Sequence, residues 1–137
     1  MTALSQTIRE SAAHAPGKAL NIALWVAQLG GAAMFVLSGF GKVSGAAPMV
    51  AFFGAMGLGQ WFRYFTGATE LIGAALLLVP SFAGVGGLLL SATMVGAVLT
   101  HALMGGSPVA ALVLLAAMGF VTWGRRDRTF KLLQRWL

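Results

Sequence analysis

The sequence predicts an all-α integral membrane protein. The expected architecture is a four-helix bundle with both termini cytoplasmic and a short interfacial or re-entrant helix between the first two spans. Three observations predict it. Of 137 residues, 58% are hydrophobic and 9% charged, where a soluble domain carries roughly 25% charged residues. The apolar residues gather in four long runs separated by turn signals. The nine Lys and Arg residues are distributed unevenly about those runs. A soluble domain of this length leaves too much area in water to hide so many apolar side chains. Disorder is excluded too, because it needs low hydrophobicity and high net charge.

A single domain is expected over 1–137, beginning with a cytoplasmic tail over 1–19. Crossing the hydrocarbon takes roughly 20 mostly apolar residues in a helix. The first span is read at about 20–40, uncharged, with Asn21 and Gln28 as its most polar members. A signal peptide is its rival reading, but the run is too long for such a core. The stretch 48–58 is apolar and too short to cross, which suits an interfacial or re-entrant helix. The second span runs over about 61–79, holds Arg63 and Glu70, and stops at Pro80. Pro80 and Ser81 then make a tight turn, because proline discourages helix in the residue before it. The third span, about 82–104, is followed by Gly105, Gly106 and Ser107, and Pro108 is placed to start the fourth, about 108–123. Residues 124–137 form a basic tail in which Arg128, Lys131 and Arg135 share one helical spacing and Phe130, Leu133 and Trp136 another. That tail is expected on anionic lipid of the inner leaflet.

Orientation follows from the cations. Four spans put both ends on one side, which carries Arg9, Lys18, Arg125, Arg126, Arg128, Lys131 and Arg135, against Lys42 and Arg63 on the other. The expected location is therefore the plasma (inner) membrane, with multiple passes. Trp25 and Trp123 fall near the inner interface, and Phe40, Trp61 and Tyr64 near the outer one. The net charge of +6 is thereby explained without nucleic acid. Helix contact in lipid favours small residues at four-residue spacing, as in Ala23, Ala27 and Gly31, and in Ala83, Gly87 and Ser91.

Ionisable groups inside a membrane are costly and are functional candidates by default. Glu70 lies about 13 Å along its helix from the outer end. Lys42, with Ser38 one turn below it, Arg63, Thr66 and His101 are all expected in the same outer half, and no comparable set is expected in the inner half. Arg63, Thr66 and Glu70 share a helix face. Helical side chains lean toward the N-terminus, so Arg63 points away from Glu70, and Lys42 or His101 is the better partner for the carboxylate. The candidate ligand-binding set is Ser38, Lys42, Arg63, Thr66, Glu70 and His101, with Glu70 and His101 handling protons. Cysteine is absent, and His14 and His101 are expected on opposite sides. No metal site or cofactor bound within the chain is expected.

The segments Phe35-Val-Leu-Ser-Gly-Phe-Gly-Lys42, Arg63-Tyr-Phe-Thr-Gly-Ala-Thr-Glu70 continuing to Pro80, and Met94-Val-Gly-Ala97 with His101 resemble the DoxX family of small four-helix bacterial and archaeal membrane proteins. The resemblance implies the four-helix fold and a loose link to redox chemistry, including subunits of a membrane oxidoreductase that delivers electrons to quinone. Three functions are open on the sequence: a redox-associated subunit binding quinone or a similar small molecule in the outer-half pocket, a small proton-coupled carrier, and a structural or assembly protein without its own chemistry. A partner subunit or homo-oligomer is compatible with each.

Overall fold

An apolar run without proline makes the longest helix of the chain, α1, Lys18–Ser44. It is followed by α2, Ala47–Met56, α3, Gln60–Leu78, α4, Ala83–Met104, α5, Val109–Gly124, and α6, Arg126–Trp136. The structure, a computed structural model, describes residues 3–6 and 17–137, helices joined by short turns and loops, with residues 3–6 helical. Arg9, Glu10 and His14 of the expected N-terminal tail lie outside the described residues.

The breaks have local causes. Gly45 ends α1 in the left-handed conformation at φ 77°, and its N–H donates to the Gly41 carbonyl. A side chain would be strained there. Val79 ends α3 in extended backbone, as the residue before Pro80 should. Pro108 sits at the N-cap of α5, one position before the helix it was expected to start.

The four long helices close a ring, with α1 on α3, α3 on α4, α4 on α5 and α5 on α1. The short α2 lies against α3 at one end. The core holds Ala32 and Phe35 of α1, Ala74 and Leu77 of α3, Leu90 and Met94 of α4, and Met118 and Val121 of α5. Among the described residues two helices, α1 and α4, are long and apolar enough to cross a membrane. The pair α5 and α6 would add a third only as one span bent by 61° at the junction. Arg63, Glu70 and Gln60 keep α3 less apolar than its length would suggest, and both charged residues are turned inward.

The face of α1 that packs inward is Leu24, Gln28, Gly31, Ala32, Phe35, Gly39 and Lys42. This corrects the expected stripe in part: Gly31 is buried, Ala27 is half-buried and Ala23 is exposed. Adjacent stripes on a helix are both rich in small residues. The inward one is chosen by Gln28 and Lys42, whose polar atoms need partners that lipid cannot supply. On α4 the expected stripe faces inward at Ala83 and Gly87, which are buried, and Ser91 is half-buried. A methyl group on Gly86 would come within 2.9 Å of the Gly73 carbonyl oxygen, and one on Gly87 within 3.0 Å of the Met118 carbonyl oxygen. α4 therefore touches α3 and α5 through adjacent glycines.

Candidate functional site

The first site lies at the C-terminal end of α1. There α1 and α3 run antiparallel and cross at Gly39 and Gly67, where a methyl group on Gly39 would meet the Gly67 carbonyl oxygen at 2.9 Å. Lys42 and Glu70 each stand three residues beyond the crossing. Side chains on a helix lean toward its N-terminus, so on antiparallel helices these two lean back toward the crossing and meet. Lys42 Nζ lies 3.0 Å from Glu70 Oε2 and 3.2 Å from Oε1. It also donates to Ser38 Oγ at 2.5 Å. Glu70 is 2% exposed and Lys42 9%. It is the one ion pair among the described residues.

Arg63 leans the other way, as its position requires. Its Nε donates to Gln60 Oε1 at 2.7 Å, and Nη1 donates to the Lys42 carbonyl. That carbonyl belongs to the last turn of α1, where backbone acceptors lack helical partners and a cation is favoured by the helix dipole. The guanidinium also lies 4.3 Å from the centre of the Tyr64 ring. Arg63 Nη2 makes no hydrogen bond among the described residues. The site is thus a buried Lys42–Glu70 pair with the Ser38 hydroxyl beside it and the Arg63 guanidinium on the Lys42 carbonyl.

Of the expected set, Ser38, Lys42, Arg63 and Glu70 come together. The choice of partner for Glu70 falls on Lys42. Thr66 is half-buried and no hydrogen bond joins it to the pair. His101, in the last turn of α4, packs its ring on Phe52 of α2 at 5.7 Å. No hydrogen bond or ion pair links it to Lys42, Arg63 or Glu70 among the described residues. No group of three or more His, Asp or Glu side chains that could hold a metal ion occurs among the described residues.

A second polar cluster occupies the opposite end, where none comparable was expected. Gln28 is fully buried. Its Nε2 donates to the Leu77 carbonyl at 2.8 Å, an acceptor near the end of α3, where Pro80 stops the helix. Its Oε1 accepts from Arg125 Nε at 2.7 Å. Arg125 Nη1 donates to Asn21 Oδ1 at 2.9 Å, and the guanidinium lies 5.6 Å from the Trp25 ring. Arg125 is 2% exposed, and Nη2 has no partner among the described residues. Burial, with Arg128 as the smaller cause, lowers its pKa from the ordinary value. The sequence signal for this cluster is the seven-residue spacing of Asn21 and Gln28, which puts both amides on one face of α1. Arg125 itself was grouped with the solvated tail cations.

An apolar groove of about 470 Å³ opens on the outside of the ring, lined by Leu29, Ala32, Ala33, Val36, Leu37 and Leu78. It contains none of the candidate polar side chains.

The chain is similar to a protein of Bacillus subtilis (strain 168) named "Putative oxidoreductase CatD", with 31% identity over 97 residues, 68% of this chain and 72% of that protein. No solved structure matches it at a significant level. The model of the DoxX-like family matches residues 26–124, a stretch that contains Ser38, Lys42, Arg63 and Glu70 of the first cluster and Gln28 of the second. The family and the apolar helices mark a membrane protein, and the chain belongs to the DoxX-like family.

Proposed function

We propose that this DoxX-like protein is a redox-associated subunit of the bacterial plasma membrane that takes a quinone or a similar small carbonyl compound at the Lys42 end. In this reading α1, α3, α4 and α5 all span the membrane. The cation distribution supports an orientation with the Arg125 end in the cytoplasm and the Lys42 end outside. The name of the Bacillus subtilis relative supports the redox association.

The observation that carries the reading is Arg63. It is 5% exposed, held by Gln60 and the Lys42 carbonyl, and its Nη2 has no hydrogen-bond partner among the described residues. A rigid guanidinium with unused donors suits an oxygen that gains negative charge on reduction. Glu70, bridged to Lys42, whose carbonyl Arg63 holds, is the group in this reading that exchanges a proton. Electrons would come from a cofactor or partner subunit. A quinone ring at Nη2 would leave the Lys42–Glu70 pair in place, and its apolar tail would lie along the outside of the helices.

The same geometry favours a second reading. All three donors of Lys42 are directed at Ser38 and Glu70, which suits a clamp between α1 and α3 with no ligand. Titration of the purified protein with a short-chain quinone, followed by Trp fluorescence, separates the two. The redox reading expects saturable quenching that is lost in Arg63→Gln while the variant remains folded. Quenching that is absent, or equal in wild type and Arg63→Gln, leaves the clamp.

A further inference from the structure

The helix α6 has no buried residue, yet it carries large apolar side chains. Phe130, Leu133, Trp136 and Leu137 are all exposed, Trp136 to 81%. On a helical wheel they fall on one side. Arg128, Lys131 and Arg135 fall on the other, and Asp127 is the only acid in the helix. The helix is joined to the bundle at its start. Thr129 lies against Gly84 of α4, where a methyl group would come 2.0 Å from its hydroxyl. Arg126 Nη1 donates to the Trp123 carbonyl at 2.7 Å, and its guanidinium lies 4.7 Å from the Trp123 ring. Beyond this joint the axis is bent by 61° from α5. If α5 crosses the bilayer, α6 runs obliquely along the surface.

From this arrangement we infer that α6 is a membrane-surface anchor that docks on anionic lipid headgroups. Phe130, Leu133 and Trp136 enter the acyl boundary, and Arg128, Lys131 and Arg135 contact the phosphates. The occupant follows from charge and continuity. A face of exposed apolar side chains backed by a polar face of three cations matches an anionic interface. Arg125, buried at the joint with no carboxylate partner among the described residues, adds to the positive field there. Each cation near such a surface strengthens docking roughly fivefold, so three contribute on the order of a hundredfold. The inference rests on α5 spanning the membrane and is independent of any quinone.

The absence of cysteine makes the test direct. Leu133→Cys, Gln134→Cys and Val113→Cys are each labelled with an environment-sensitive dye in the full-length protein. The proteins are reconstituted in vesicles of phosphatidylcholine alone or mixed with phosphatidylglycerol, and an aqueous quencher is added. Position 133 should be shielded in mixed vesicles and several-fold less so in phosphatidylcholine, position 134 accessible, and position 113 shielded in both. Replacing Arg128, Lys131 and Arg135 by Gln should abolish the effect of phosphatidylglycerol at 133. Three results overturn the inference: quenching at 133 equal to that at 134 in both lipids, shielding at 133 indifferent to phosphatidylglycerol, or shielding that rises with protein density and so reports a second copy. Quenching at 113 as well as 133 would remove its premise, the α5 span.

Discussion

Gly39 and Gly67 stand back to back at the crossing of α1 and α3. A methyl group on either would reach the other's carbonyl oxygen, at 2.9 Å from Gly39 and 3.0 Å from Gly67. This approach lets Lys42 and Glu70, one turn beyond it on each helix, close to 3.0 Å. The substitution Gly67→Ala would also press on Lys42 Cβ at 2.9 Å and Val43 Cγ2 at 2.8 Å. It should cost about 1–3 kcal/mol, as overpacking does. Gly30→Ala, with nothing within 4 Å, should leave stability unchanged or raise it slightly. Denaturant unfolding in detergent compares the two, and equal midpoints would contradict the close crossing.

Glu70→Gln should destabilise more than loss of the whole pair. It leaves the Lys42 ammonium buried without a counter-charge, a cost of about 3–5 kcal/mol. The double variant Lys42→Met, Glu70→Leu removes both charges and should recover most of that loss. A double variant less stable than Glu70→Gln would show that the pair contributes more than charge balance.

Arg63→Lys should keep a cation near the end of α1 but lose the fork that reaches Gln60 and the Lys42 carbonyl together. An expected cost of about 1–3 kcal/mol follows from leaving a buried acceptor without its donor. Rescue of full stability by Lys would mean that charge alone is needed there.

At the other end, Gln28→Leu should strand two groups at once, the Leu77 carbonyl and Arg125 Nε. The loss is about 1–3 kcal/mol for each unsatisfied group. Because Gln28 and Arg125 share a hydrogen bond, their substitutions should be non-additive by about 0.5–3 kcal/mol in a double-mutant cycle. Additive effects would mean that the two side chains act separately.

His101→Ala should leave the Lys42–Glu70 pair in place, since the His101 ring meets Phe52. Its unfolding midpoint in detergent should stay within about 0.5–1.5 kcal/mol of wild type, the value of a lost ring contact. A loss as large as that of Glu70→Gln would show a coupling of His101 to the pair.

The sequence by itself determined the helical, membrane-like character, the order and approximate limits of the long helices, and the family. Apolar runs, prolines and glycines are local signals and need no partner to be read. It also determined that Arg63 would turn from Glu70, because side-chain lean is a property of one helix. What only the tertiary structure decided depends on helix rotation. A turn of one position along α1 exchanges the Ala23 stripe for the Leu24 stripe and carries Gln28 and Lys42 inside. That rotation chose Lys42 over His101 as the partner of Glu70. It also gathered Asn21, Gln28 and Arg125, residues about a hundred positions apart, into a second buried cluster. Local periodicity cannot set that angle. Close contact at Gly39 and Gly67, and the need of every buried polar atom for a partner, do.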